Sequence, residues 1–397
     1  MKLKYVLIAL TLLLSACNIS VTSFPAEPAA PGQPAEPPTE IPPTPIPDTP
    51  APPAIDAPQA ESPALVEVQF LNKLDGWGVT ETQIVRTNDG GLTWYNVTPS
   101  DVAETGSTVE TFILDNEHAW VQKPDFNNFP NNGLLYRTAD GGLNWTISST
   151  PFSGGDLSFI DVNNGWMLAD LGVGAGSNGV AVFQTKDGGA TWAQTYTNDP
   201  NLPGAGESLP LGGIKSDLIP LNMQTAWVSG VTYASGTIYL FRTDDGGHTW
   251  AQVTLELPAG AENYELGIDR DAMQIFSAKD GFLVVRMSGE ANQTAVYTTN
   301  DAGNTWTLTP TLIPNAGASD FLSPQEAIIY NGEQFYVTRD AARTWSTVSP
   351  NIVFGDSFAD MDFVDLNTGW VITLDPSNHR SLNRTDDGGA TWTPVVP

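Results

Sequence analysis

Aspartate, threonine and paired glycines recur along this chain in an order that would suit a bound cation or a phosphate. RTNDGGLTW occupies 86–94, RTADGGLNW 137–145, QTKDGGATW 184–192, RTDDGGHTW 242–250 and RTDDGGATW 384–392. TTNDAGNTW at 298–306 and VTRDAARTW at 337–345 are looser copies. The acids at issue are Asp89, Asp140, Asp187, Asp245, Asp301, Asp340 and Asp387. A Ca²⁺ loop of the D-x-[DN]-x-[DN]-G type needs oxygen ligands at alternate positions before its glycine, and that spacing is not met. A reaction centre also needs one place, whereas seven equivalent stretches argue for a structural turn. In such a turn the aspartate accepts hydrogen bonds from backbone N–H groups that follow it. The second glycine is expected at φ > 0, which costs other residues more. The closing Trp94, Trp145, Trp192, Trp250, Trp306, Trp345 and Trp392 would each start a strand and wedge against its neighbours. In the sixth copy Ala341 and Ala342 replace both glycines, which predicts a strained turn that Ala342→Gly would relieve.

Other constellations are weaker. Asp360, Asp362 and Asp365 offer carboxylates at short spacing, and glycoside hydrolysis asks for two carboxyl groups about 5–10 Å apart. With 45 acids in the chain, sequence alone selects no pair. His118, His248 and His379 are the only histidines, and none has a second ligand at metal spacing. Residues 174–179, GAGSNG, match G-x-G-x-x-G, but a dinucleotide site needs that motif between a strand and a helix. Here it falls between two predicted strands and reads as a hairpin loop. No cofactor is expected.

The elements that would position these groups are short strands. A second mark precedes each turn: FLNKLDGWGV at 70–79, HAWV at 118–121, FIDVNNGWML at 159–168, TAWV at 225–228, DGFLV at 280–284, FLSPQEAII at 321–329 and FVDLNTGWVI at 363–372. The 12 tryptophans divide wholly between the two marks, with Trp77, Trp120, Trp166, Trp227 and Trp370 in the second. Phe282 and Ile328 take that place in the fifth and sixth copies. Apolar alternation broken by Gly, Asn, Asp and Pro gives four short strands per repeat and no helical period. Long all-β arrays of such units avoid exposed edges by closing radially. The fold expected for residues 64–397 is an all-β, seven-bladed β-propeller of four-stranded antiparallel blades.

The chain begins MKLKYVLIALTLLLSAC, with Lys2 and Lys4 before an apolar run too short to span a bilayer, which is the plan of a secretory signal. Leu14-Ser15-Ala16-Cys17 resembles the bacterial lipobox. That resemblance implies a signal peptide over 1–16, lipidation of Cys17, and a lipid-anchored place on the extracytoplasmic side of a bacterial membrane. Cys17 is the sole cysteine, so disulfides and thiolate zinc sites are excluded. Residues 17–63 read as a proline-rich tether, with 15 prolines between Pro25 and Pro63. The formal charge is −29. Duplex nucleic acid, which needs clustered Lys and Arg, is therefore an unexpected partner.

The motif T-x-D-G-G-x-T-W resembles the Asp-box, or BNR, repeat. Together with F-x-D-x-x-x-G-W it looks most like the photosystem II assembly and stability factor family, over Leu65 to Pro397. The resemblance implies a propeller outside the cytoplasm that binds or helps assemble another extracytoplasmic or membrane protein. Asp-box turns also occur in sialidases, xyloglucan-degrading enzymes and sortilin-like receptors, so a carbohydrate-active or glycan-binding propeller is the alternative. A retaining sialidase would need three converging arginines. Arg86, Arg137, Arg242 and Arg384 instead occupy one equivalent repeat position, where they are expected as solvent-facing strand residues or part of a docking surface. The long segments 101–111, 123–133, 197–216 and 255–272 are candidate recognition loops. Acids and aromatics gathered at the axis would favour the carbohydrate reading.

Overall fold

A computed structural model describes residues 54–276, 279–315 and 317–396. The signal segment, most of the tether and Cys17 lie outside the described residues. The described chain is built of antiparallel sheets. Four sheets have four strands, such as Phe358–Phe363, Gly369–Leu374, Arg380–Thr385 and Thr393–Pro394. A five-stranded sheet opens the chain. A nine-stranded sheet joins two such sets through Glu265–Gly267, which bridges Ala226–Val231 and Asp280–Ser288. No helix among the described residues is long and apolar enough to cross a membrane.

The extra strand of the first sheet is Gln59–Ala60, paired with Tyr95 and Trp94. Ala60 is buried and Pro58 accepts the N–H of Asn96. The packed part of the chain therefore starts at least as early as Gln59, ahead of the boundary expected at residue 64.

The repeated turn is held by its own side chains. In the first copy, Thr87 Oγ1 donates to Asp89 Oδ1 and accepts the N–H of Gly91, while Asp89 Oδ1 accepts the N–H of Thr93. In the third, fourth, fifth, sixth and seventh copies a threonine hydroxyl also fills the second carboxylate oxygen, as Thr391 does for Asp387. Both glycines, not only the second, take positive φ: 78° and 93° at Gly90 and Gly91. Ala341 and Ala342 are held at 58° and 60°, so the strain expected of the sixth copy is present. The residue after the aspartate of every turn donates its N–H to the first hairpin turn of the same sheet, for example Gly90 to Leu74 O and Gly388 to Asn367 O. That hairpin is capped in turn by Asn72, Asp161 or Asp365, each of which accepts two backbone N–H groups. With its oxygens satisfied locally, the turn is a fixed corner and presents no open ligand set.

Sheets pack face to face through a repeated seam. Trp120, Trp370 and Phe282 lie flat on Phe159, Phe70 and Phe321 of the following sheet, with ring centroids 3.8, 3.5 and 5.4 Å apart. Trp120 and Trp370 then donate their indole N–H to Gly188 O and Gly90 O of the next turn. All five second-mark tryptophans are fully buried. Because Trp370 reaches Phe70 and Gly90, the last sheet packs on the first and the array closes on itself. Among the described residues no strand is exchanged between them: Thr393–Pro394 pairs within its own sheet.

In a four-stranded antiparallel unit, connections one-to-two and three-to-four share one end. The two-to-three hairpin and the link to the next unit share the other. The repeated turns are three-to-four connections. All four over-length segments, 101–111, 123–133, 197–216 and 255–272, fall at the opposite end.

Candidate functional site at the strand heads

The first strand of each set starts at the end that carries the long segments. The strands Glu67–Phe70, Glu110–Ile113, Gly155–Phe159, Ile214–Pro220, Met273–Phe276, Ser319–Phe321 and Phe358–Phe363 lie at the free edges of their units. Unpaired edge N–H groups need acceptors, and acids from the preceding unit supply them. Asp360 Oδ2 accepts Val68 N–H at 3.1 Å and Asp362 Oδ2 accepts Phe70 N–H at 2.5 Å. Asp320 takes Phe363 N–H at 2.9 Å, Asp156 takes Leu218 N–H at 2.5 Å, and Asp217 takes Asp271 N–H at 3.1 Å. Each staple runs forward from one unit to the next, and the last runs from the seventh repeat to the first.

One cation enters this acidic crown. Glu265–Gly267 and Met273–Phe276 pair with the two ends of the same strand, Asp280–Ser288, and residues 268–272 bulge out between them. Asp271 in that bulge takes φ 58°, a left-handed conformation rare for a residue with a side chain. The bulge aims Arg270 away from its own sheet. Its Nη1 donates to Glu110 Oε2 at 3.0 Å, and its Nη2 contacts Glu110 Oε1 and Asp156 Oδ1, the latter at 2.7 Å. Both partners head other units, so Arg270 ties together strands 160 and 114 residues away.

The electrostatics follow from gathering eight acids at the strand heads, of which Glu67, Glu110, Asp156 and Asp271 feel Arg270. Burial raises the Glu110 carboxyl to about 7 against the opposing pull of Arg270. Asp360 and Asp362 are also pushed up to about 7, chiefly by burial. Asp217 and Asp320 lie well above the usual carboxylate range, through burial first and then the negative charges of Asp156 and Asp362 respectively. Glu67 and Asp271 are raised by burial as well. At the other end of the array the trend reverses. Hydrogen bonds, first from the hydroxyls of Thr191, Thr344 and Thr391, lower Asp187, Asp340 and Asp387.

The structure separates residues that sequence had grouped. Asp360 and Asp362 join the crown, while Asp365 caps a hairpin at the far end and pairs with Lys73 at 2.9 Å. Arg86, Arg137, Arg242 and Arg384 do not stand free in solvent as expected. Their guanidinium carbons lie 4.9, 5.9, 5.1 and 5.1 Å from the ring centroids of Trp77, Trp120, Trp227 and Trp370. Arg86 and Arg242 also donate to Gly141 O and Ala302 O in the next turn. These arginines belong to the seam. Among the closing tryptophans, Trp94, Trp250, Trp306 and Trp392 are buried, and Trp145, Trp192 and Trp345 are half-buried.

His118 Nδ1 pairs with Asp115 at 2.9 Å. No group of three His, Cys, Asp or Glu among the described residues is placed to hold a metal. Residues 174–179 form a hairpin whose two-residue turn, Ala175-Gly176, has both φ values positive. Clefts of about 500 and 600 Å³ open beside Glu81 and Arg380 and beside Lys123 and Phe126.

Arg270 and its bulge were missed by sequence reasoning. The only signal was the length of segment 255–272.

No family model matches the chain. A Paenibacillus sp. xyloglucanase is 27% identical over 290 residues, covering 67% of this chain and 24% of that protein. The photosystem II assembly lipoprotein Ycf48 of Synechococcus sp. (strain CC9902) is 26% identical over 136 residues, covering 34% and 37%. The chain thus spans about a quarter and about a third of the length of these curated relatives. Among solved structures, YCF48 bound to D1 peptide is similar with a TM-score of 0.51 at 16% identity, covering 83% of this chain and 95% of that one. The GH74 xyloglucanase from Xanthomonas campestris has a TM-score of 0.56 at 15% identity, covering 84% and 54%. These likenesses show that the chain is an all-β propeller, homologous both to an assembly factor and to a glycoside hydrolase.

Proposed function

We propose that the chain is a seven-bladed propeller that binds another protein, or assists its assembly, through the end of the ring opposite the repeated turns. The blade count is supported by seven first strands and seven copies of the turn. The observation that carries the reading is the asymmetry of the two ends. Every over-length connection lies at one end, while the other is made of compact, internally satisfied corners. The crown supports the same reading, because five of its carboxylates accept backbone N–H groups of the next unit, and Glu110 together with Asp156, one of those five, meets Arg270. A hydrolase needs one carboxyl free to protonate a leaving group and one free to attack or to activate water. The similarity to YCF48 bound to D1 peptide is consistent with a protein ligand for this fold. We place the protein in the cell envelope, anchored through lipidated Cys17.

A second reading, a glycan-active propeller, draws on the xyloglucanase match over 67% of the chain and on Glu110, whose pKa near 7 would suit a general acid.

Photo-crosslinking of the full-length lipoprotein in its own membrane decides between the two. A crosslinker at Phe126 should capture a defined partner, and one at Leu143, among the repeated turns, should not. Xyloglucan cleavage by the purified chain, lost in Glu110→Gln without loss of fold, would overturn the proposal. Incorporation of labelled fatty acid that disappears in Cys17→Ala tests the anchor.

A further inference from the structure

The four long segments at the recognition end hold eleven acids and three bases. All three bases have partners within the chain. Arg270 serves the crown, Lys123 Nζ donates to Asp101 O at 2.9 Å, and Lys215 Nζ donates to three carbonyls. Even with Glu110 paired to Arg270 and Asp269 to Arg286, acids outnumber bases in these segments, so this end is net acidic.

The same end exposes an apolar patch. Val173, on the hairpin of residues 165–185, is 61% exposed, Leu211 43% and Tyr233 69%. They come from three connections that meet in space. Val173 pairs with Asn178, whose N–H donates to Leu211 O. Gly213 donates to Gly176 O. The Tyr233 ring covers Gly176 so closely that a Cβ there would lie 2.9 Å from it. Isolated exposed apolar side chains are ordinary, but a set gathered from three connections at one end points to an interaction site.

Beneath the patch, Lys215 fixes these loops. Its ammonium donates to Asn178 O and Leu211 O at 2.9 Å and to Gly213 O at 3.2 Å, and it lies 5.3 Å from the Tyr239 ring centroid. Burial without a carboxylate partner lowers this amine to about 8.

We infer that Val173, Leu211 and Tyr233, on this net acidic end, form the docking surface for a protein segment that alternates basic with apolar residues, and that Lys215 is the positioning residue beneath it. The inference rests on the protein-binding reading and adds the chemistry of the partner. Charge complementarity selects this occupant. A second copy would bring the same negative face, and an anionic bilayer would be repelled.

The test uses the full chain and three fluorescent ten-residue peptides: arginine alternating with leucine and phenylalanine, arginine alternating with serine, and glutamate in place of arginine in the first. The first should bind at least tenfold more tightly than the second, and the third should not bind. Leu211→Ser with Tyr233→Ser should cost at least fivefold in affinity with an unchanged Tm, since both side chains are on the surface. Amide protection by the first peptide should fall at 171–178, 205–213 and 232–236. Lys215→Met should speed exchange in those loops and weaken binding together; if that variant does not fold, the surface pair still decides. Equal binding of the two arginine peptides, indifference to the surface pair, protection among the repeated turns, or a dimer that buries the patch would each overturn the inference. A partner crosslinked at Phe126 alongside any of these results would leave the protein-binding reading standing and remove only this surface.

Discussion

Arg270 and Glu110 stand 160 residues apart and meet through both terminal guanidinium nitrogens, with Asp156 sharing Nη2. The pair joins a bulged strand in one part of the ring to the heads of strands in two others. An ion pair in this setting is expected to matter more for what happens when it is broken than for what it adds.

Arg270→Gln leaves Glu110 and Asp156 facing each other. Because the Arg270 side chain is 46% exposed, solvent screens part of the loss, and about 1–2 kcal/mol is expected at pH 8. The loss should shrink at pH 5, where Glu110 is protonated. Urea unfolding at the two pH values reads both.

The crown sets the pH dependence of the whole ring. Glu110, Asp360 and Asp362 have folded values near 7, above their unfolded values near 4. Between those limits the folded state holds more protons than the unfolded one, so stability falls as pH rises through that window. The depressed Asp187, Asp340 and Asp387 act in the opposite sense: their contribution is present above the unfolded value and lost as pH falls through the lowered folded values. Tm should therefore peak near pH 4, about the unfolded carboxylate value, and be lower by about 5 °C at pH 8. A Tm that climbs steadily from pH 5 to 8 would contradict the protonated crown.

Ring closure offers a sharper contrast. Asp362→Ala leaves the Phe70 N–H without its acceptor and should cost about 1–3 kcal/mol. Asp362→Asn keeps an acceptor without a charge to desolvate, and should lie within about 0.5 kcal/mol of the parent or above it. Trp370→Ala removes the stack on Phe70 and the bond to Gly90, with a loss of about 3–5 kcal/mol. Thermal or chemical unfolding of the three variants checks the order.

The sixth turn places two alanines in the left-handed region, each at a cost of about 1–2 kcal/mol. Glycine relieves that cost at either position but restores chain entropy worth about 0.5–1 kcal/mol. Ala342 is fully buried, so Ala342→Gly also loses a packed methyl worth about 0.8 kcal/mol and should come out near neutral. Ala341 is only half-buried, and Ala341→Gly should gain about 0.5 kcal/mol. The gain expected from sequence at Ala342 thus moves one residue back, and calorimetry on the two variants distinguishes them.

Much of this fold is legible in the residues because its units are held by short-range bonds. Thr87, Asp89, Gly91 and Thr93 close their turn through contacts two to four residues apart, and the same contacts return wherever the letters return. Repetition of Trp and Phe at one phase likewise announces the seam, since a residue that packs against the next unit must recur in every unit. The crown is different. The bonds from Val68 to Asp360 and from Phe70 to Asp362 each span 292 residues. The bulge that aims Arg270 has no motif. Asp360, Asp362 and Asp365 look alike in the chain, yet the ring buries the first two and leaves the third capping a hairpin. Sequence by itself determined the corner, the strand set and the packing code, because each is local or periodic. Which carboxylates meet, which are pushed toward neutrality and which loops gather into one face were decided only when the ring closed, because proximity around an axis is not written in any one repeat.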